Sequence, residues 1–430
     1  MSAFNFPGRT ALLVTGAVIL TLVVALIAVN FMSGEKKIER RIERLYSLED
    51  PRFRHELGVL LGPQFVGGNR PMVLRNGDEI FPAMLAAIRN AGTSITFETY
   101  IYWSGDIGRE FADALSERAR HGVKVHVLLD WVGSAKMDAQ LIDRMVAAGV
   151  RIEKFHPPHW SHLGRLNNRT HRKLLVVDGR VAFTGGVGIA SEWTGQAQDP
   201  DHWRDTHFQV EGPVVAQMQA VFLDNWIKVT GDVLHGPDYF PALEPVGSSL
   251  AQMFSSSPSG GSESMQLMYL LAITSASRSI DLSAAYFVPD DLTLHALLEA
   301  IKRGVKLRIV VPGEHMDSET VRHASRARWG PLLANGAVIA EYQPTMFHCK
   351  VMIVDGLLVS VGSTNFDNRS FRLNDEATLN IIDADFANAQ TAIFEADLNR
   401  SRQITYTEWR ERPLREKIGE RLASLFRSQL

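Results

Sequence analysis

Two short stretches of this chain carry the same residue types at the same spacing. His171, Lys173 and Asp178 lie in HRKLLVVD, followed by Gly185 and Gly186. His348, Lys350 and Asp355 lie in HCKVMIVD, followed by Gly362 and Ser363. In both, the small pair begins seven residues after the aspartate. A phosphodiester needs a nucleophile, a proton donor for the leaving alkoxide and charge stabilisation on its non-bridging oxygens. One histidine can attack phosphorus and form a phosphohistidine. The other can protonate the leaving oxygen, then deprotonate an incoming hydroxyl. Two lysines stabilise equatorial oxygens without a metal. An aspartate can hold an imidazole N–H and set its tautomer. The set suits metal-free, two-step transfer in one composite site. Metal coordination by the histidines is the competing reading, and the lysines oppose it by repelling a cation. No metal and no cofactor is expected.

The elements that must place these groups can be read from the same stretches. His171 and Lys173 differ by two, as do His348 and Lys350, so on a strand each pair faces one side. The apolar LLVV or VMIV run packs below, a DG pair turns the chain, and AFTGG or LVSVGS returns. The small pair lets the returning strand approach closely. Whether each aspartate reaches its own histidine or the other half's is left open by the pattern. Cys349 lies between His348 and Lys350, so alternation points it away, as a packing residue.

The repetition extends well beyond the motif. SITFETYIY (94–102) is matched by SIDLSAAYF (279–287), FADALSERARHGVKVHVLLD (111–130) by LLEAIKRGVKLRIVVPG (297–313), and MVAAGVRIEKF (145–155) by LLANGAVIAEY (332–342). Helices alternating with short Val/Ile-rich strands predict an α/β fold with buried sheet, built from two homologous halves. The expected division is 1–50, an N-terminal segment and charged helical linker; 51–243, the first half; and 244–430, the second half with C-terminal helices. A proline-rich stretch at 236–250 marks the divide. The first half carries a longer, turn-rich insertion before its motif, 156–170, suited to a substrate mouth. His156, His159 and His162 lie there without the compact extra ligands a metal would need. The tail 412–430 is amphipathic and expected to pack on the body.

Composition is ordinary for a globular chain: 45% hydrophobic, 22% charged. Its net charge of -3 gives no electrostatic case for nucleic acid. One cysteine excludes an intrachain disulfide. Residues 11–32 carry no charge and, as a helix, would span about 33 Å, enough for a bilayer core of roughly 30 Å. Only Arg9 precedes them, whereas Lys36, Lys37, Arg40, Arg41 and Arg44 follow. That bias predicts a single-pass anchor in the cell inner membrane with a cytoplasmic catalytic body. A signal peptide is the competing reading, but no small-x-small cleavage site follows.

Over roughly residues 70–410 the chain resembles the phospholipase D superfamily, and within it the bacterial cardiolipin synthase group. The resemblance is carried by HRKLLVVDGRVAFTGG and HCKVMIVDGLLVSVGSTNFDNRSF. It implies two α/β halves with the active site at their interface. It makes His171 the nucleophile and His348 the general acid and base, with Lys173 and Lys350 on phosphate and Asp178 and Asp355 in support. Asn365 matches the family's phosphate-contacting asparagine, but its first-half counterpart is Gly188, and Gly186 stands opposite Ser363. The site is therefore expected to be asymmetric. Glu192 and Glu376 resemble the family's supporting acids. Arg204, in DHWRDTHFQVEGP, resembles a headgroup-binding position, with an Arg204–Asp205 ion pair as the competing reading. Glu98, an acid in an apolar strand, could face the cleft or pair with an arginine. The implied activity is cardiolipin synthesis from phosphatidylglycerol or a related membrane phospholipid, with the bilayer as partner. A phospholipase D or another phosphatidyltransferase is the alternative, and a nuclease a weaker one.

Overall fold

The computed structural model describes residues 7–31, 38, 40–157, 167–258, 264–427 and 429–430. Val- and Ile-rich runs between turn formers become strands. In chain order they are β1 (Val66–Arg75), β2 (Ser94–Thr99), β3 (Lys124–Asp130), β4 (Arg151–Phe155), β5 (Arg169–Thr170), β6 (Leu174–Val177), β7 (Val181–Gly185), β8 (Thr206–Glu211) and β9 (Ser249–Ser256). Then come β10 (Ser279–Ala284), β11 (Phe287–Val288), β12 (Lys306–Pro312), β13 (Val338–Tyr342), β14 (Lys350–Val354), β15 (Leu358–Gly362), β16 (Phe366–Asp367), β17 (Asn374–Ile382) and β18 (Ser401–Ile404).

Among the described residues, one sheet joins all of these except β11 and β16, which pair separately. Outward from the central antiparallel β1·β9 pair, one side reads β8, β7, β6, β2, β3, β4 and the other β17, β15, β14, β10, β12, β13. The two sides repeat one order. β2, β3 and β4 are parallel, as are β10, β12 and β13. Parallel strands are covered by helices on both faces, which is why their sequences are nearly continuous apolar runs. One core surrounds Phe97, Phe111 and Leu129, and another Leu282, Ile309 and Trp329. A third joins Phe208, Met218 and Trp226 to Met253, Val351 and Phe386, and so draws on both halves. Separating the halves would open this core to water.

The two DG pairs have a structural assignment. Asp178 and Gly179 have φ of 53° and 61°, and Asp355 and Gly356 have 54° and 61°. Positive φ at both central positions is the type I′ hairpin pattern. Each aspartate side chain then gathers the loop leading into the neighbouring strand. Asp178 accepts from the amides of Gly92, Thr93 and Ser94 at 2.9, 2.7 and 3.0 Å. Asp355 accepts from those of Ser277, Arg278 and Ser279 at 2.8, 2.7 and 2.9 Å. Burial pushes the Asp178 carboxyl up, but these donors outweigh it and hold it below the usual range.

The N-terminal expectation is corrected. Residues Pro7–Phe31 are helical, but among the described residues no helix is long and apolar enough to cross a membrane. The anchor falls, and with it the inner-membrane placement and sidedness that rested on it. The following charged segment is also not helical over 41–47. Ile38, Ile42 and Tyr46 pack instead against the second-half core, so tertiary burial outweighs helical periodicity there. At the other end, helix Leu414–Ser424 packs through Ala423 beside Val321 and Ala324.

Replacing Asp178 or Asp355 by alanine should cost about 2–4 kcal/mol, since three backbone donors lose a charged acceptor. The measurement is the urea midpoint; an unchanged midpoint would reject the structural assignment.

Candidate active site

The strand pairing between halves places both histidines. β5 runs beside β17, and the His171 amide donates to Asp375 O at 2.9 Å. On the other side, the His348 amide donates to Arg204 O at 2.7 Å. Each histidine backbone is thus tied to the residue just before an acid of the opposite half. The side chains complete the exchange. His171 Nδ1 lies 2.9 and 3.1 Å from the Glu376 carboxylate oxygens, and His348 Nδ1 lies 2.7 Å from Asp205 Oδ2. All four side chains are buried.

Each acid has its own support. Glu376 accepts from Ser363 Oγ and from Asn374 Nδ2 at 3.2 Å. Asp205 accepts from the Thr206 amide at 2.8 Å and from Trp193 Nε1 at 3.0 Å. A Cβ at Gly186 would collide with the Asp205 carboxylate, so glycine is required there. Burial pushes both carboxyls up, yet their histidine and lysine neighbours outweigh it and keep them below their ordinary values. Both acids are therefore anionic acceptors, and the ring N–H belongs at Nδ1. That leaves each Nε2 for chemistry.

The lysines fold back beneath the rings. Lys173 Nζ donates to His171 O, and Lys350 Nζ to His348 O, both at 2.8 Å. Lys350 Nζ also lies 3.2 Å from each His348 ring nitrogen. Burial and the mutual repulsion of the two ammonium groups push Lys173 down to about 7. Burial, opposed by Glu376 and aided by the lysines, brings His171 down to about 4. His348 and Lys350 are lowered too, first by burial. The empty site favours neutral rings.

His171, Lys173, His348 and Asn365 line one cavity of about 180 Å³. The Tyr100 ring meets His171 edge-on at 5.2 Å, and Trp193 and Trp203 lie 5.3 and 5.5 Å from His348. Asn365 Oδ1, an acceptor, is buried without a hydrogen-bond partner among the described residues; only the amide N–H of this side chain could serve a phosphate oxygen. Its counterpart Gly188 is glycine because a Cβ would lie 2.8 Å from Ile101 Cβ and 3.2 Å from the Trp193 ring. An apolar wall replaces the second amide.

Several sequence expectations fall elsewhere. Asp178 and Asp355 hold turns and hydrogen-bond neither histidine. Ser363 supports Glu376, and Gly186 makes room for Asp205. Glu192 does not line the cavity; its carboxylate accepts from Ser191 Oγ at 3.4 Å. Arg204 is buried in an ion pair, but with Asp397 at 2.9 and 2.8 Å rather than with Asp205. It joins the halves and does not line the cavity. Glu98 lies beneath the site, accepting from Thr170 and from Asn225 Nδ2 at 2.8 Å. The Cys349 thiol is buried and pushed far up, which makes it inert. Of the proposed mouth, 158–166, with His159 and His162, lies outside the described residues. Asp205 was missed as the partner of His348. Its signal is position: like Glu376, it sits at the start of the strand that follows the motif hairpin.

The family described as "Cardiolipin synthase, PLD-like domain" matches residues 84–226 and 269–398. The cardiolipin synthase of Geobacillus kaustophilus is 36% identical over 388 residues, covering 89% of this chain and 77% of that protein. Cardiolipin synthase A of Pseudomonas fluorescens is 34% identical over 361 residues, covering 84% and 75%. Among solved structures, phosphatidylserine synthase of Haemophilus influenzae has the same fold, with a TM-score of 0.68 at 14% identity over 89% of this chain and all of that one. The duplicated motif, the sheet order and these matches agree: the chain belongs to the phospholipase D superfamily, in the family of cardiolipin-synthase-type domains.

Proposed function

We propose that this chain is a cardiolipin synthase, a phosphatidyltransferase that moves a phosphatidyl group from one phosphatidylglycerol to another and releases glycerol. The observation that carries the chemistry is the pair of histidines in one cavity, each held at Nδ1 by a carboxylate with a lysine beneath. The family supplies the lipid class. Phosphatidylglycerol as donor and acceptor is the finer assignment.

With Nδ1–H given to Glu376, His171 presents the Nε2 lone pair to phosphorus. The N–P bond forms as the bond from phosphorus to the headgroup glycerol oxygen breaks, and His348 delivers its Nε2 proton to that oxygen. The substrate's negative charge offsets the lysines' repulsion and favours the protonated state His348 needs. Lys173 and the Asn365 amide N–H line the cavity where charge develops on the phosphate oxygens, and Lys350 adds its positive charge from beside the His348 ring. In the second step an acceptor hydroxyl oxygen bonds phosphorus as the N–P bond breaks. Its proton returns to His348. The carboxylates hold each ring in the tautomer that these steps require.

Purified protein in detergent should convert labelled phosphatidylglycerol into cardiolipin and glycerol; phosphatidic acid as the sole lipid product would redirect the assignment to hydrolysis. Trapping of base-stable, acid-labile label at His348 rather than His171 would reverse their roles. Glu376→Gln and Asp205→Asn should each lower kcat by about 10³-fold, as expected when an imidazole loses the acid that sets its tautomer. An effect below tenfold would demote the crossed acids to packing. Because Lys173 is charged only below about 7, kcat/KM should fall as pH rises through that value. Lys173→Arg should move this alkaline limb upward, and a limb that stays put belongs to another group.

A further inference from the structure

We propose that Arg169 and Arg369 form a second anion site, beside the histidine pair, that takes the phosphodiester of the acceptor lipid. This rests on the transferase reading and names how its second substrate is held. Both arginines line the same cavity as His171, Lys173 and His348. Arg169, His171 and Lys173 follow at intervals of two, so extended backbone sends all three the same way. Arg369 arrives from the opposite half, on helix Asn368–Arg372 just beyond Asn365.

The two guanidinium groups are close enough to repel. Arg169 is pushed down first by burial and further by Arg369, against the attraction of Asp130. An anion entering between the two groups would relieve that repulsion. Arg369 is fixed by neutral acceptors. Its Nη2 donates to Asn167 O and Oδ1 at 3.1 and 2.8 Å, and its Nη1 to Gln429 O at 3.2 Å. These bonds orient the fork, with the Asp367 carboxylate near enough to attract it, and such preorganisation is what an oxyanion rewards. The Arg169 Nη1 likewise donates to a carbonyl, Asn168 O, at 2.8 Å.

Two carboxylates also line the cavity, and each has a partner. Asp317 accepts from Tyr286 Oη at 2.5 Å. Asp367 caps its helix by accepting from the Ser370 amide at 2.8 Å, and burial raises its carboxyl to about 6.

The chemistry supplies the reason for a second site. One phosphodiester carries one negative charge, and Lys173 at the cavity wall with Lys350 beside His348 already supplies positive charge for it. Water as acceptor would bring no further anion. A phospholipid acceptor brings its own phosphodiester into the cavity while its hydroxyl attacks. Holding that phosphate on the arginines would aim the hydroxyl oxygen at phosphorus as the N–P bond breaks.

The test is a competition in one tube. Full-length protein in detergent is given labelled phosphatidylglycerol plus ethanol, so that transfer to lipid gives cardiolipin and transfer to the neutral alcohol gives phosphatidylethanol. Arg169→Gln and Arg369→Gln should lower the cardiolipin-to-phosphatidylethanol ratio about tenfold, as loss of a charge-assisted hydrogen bond predicts. Total turnover should fall far less. Arg169→Lys should recover part of the ratio. Equal loss of both products, or an unchanged ratio, overturns the second site. If wild-type protein makes phosphatidylethanol but no cardiolipin, the cardiolipin synthase reading itself fails, and that outcome is read before any variant. Should Arg169→Gln lose its cooperative thermal transition, the ratio from Arg369→Gln and Arg169→Lys decides.

Discussion

Each active histidine is oriented by a carboxylate from the other half, and the rest of the structure serves that exchange. Glu376 and Asp205 are fully buried anions, and an unpartnered charge there would cost several kcal/mol. Neither is unpartnered. Glu376 is surrounded by His171, Ser363 and Asn374, and Asp205 by His348, the Thr206 amide and Trp193. The backbone bonds from His171 to Asp375 O and from His348 to Arg204 O fix the register within which those side chains meet. Rotating one half against the other would strip both acids of their histidines together. The shared apolar core and the Arg204–Asp397 pair oppose that rotation.

The exchange is symmetric in plan and unequal in execution. On the His171 side the longer glutamate leaves space that Ser363 fills with a hydroxyl. On the His348 side the shorter aspartate is approached so closely that only Gly186 fits. Asn365 offers an amide to the cavity, whereas Gly188 yields its place to Ile101 and Trp193. One ring therefore works against indoles and the other beside polar donors. That difference suits a division between a nucleophile and a proton shuttle, whose electrostatic needs differ.

Much of this was legible in the sequence because it follows from periodicity. Alternation placed His171 with Lys173 and turned Cys349 away. The matched strand–helix runs anticipated the repeated sheet order, and the DG pairs the hairpins. The family resemblance, rather than periodicity, pointed to Glu376. Its counterpart was missed, because the gap after the first motif is longer than that after the second. Glu192 was the nearer acid by chain distance, while the equivalent position depends on where the next strand begins. Arg204 was read by its neighbour Asp205, but strand alternation sends adjacent side chains to opposite faces, and its partner Asp397 lies far along the chain. The aspartates of the motif resembled members of a triad by type alone. Their positive φ, visible only in three dimensions, commits them to turns. Hydropathy at 11–32 and the i, i+4 spacing of Ile38 and Ile42 are local signals, and they said nothing about the surface on which Ile42 and Tyr46 come to pack.

The lysines explain why the site is built around neutral rings and still binds an anion. Burial first, and the two ammonium groups after it, disfavour a further positive charge beside the lysines, so His171 stays unprotonated far below neutrality. That is the state a nucleophile needs. A phosphodiester entering between them reverses the local field. The lysines regain a counter-charge, and the ring with the aspartate partner can take up the proton it must deliver. The same buried charges that make the empty cavity unfavourable thus couple substrate entry to the protonation pattern of the first step. Solvent-exposed lysines could not do this, because water would screen each from the other and from the rings. Burial of Lys173 and Lys350 is in this sense part of the chemistry, and the crossed carboxylates are what allow four titratable groups to be buried so close together.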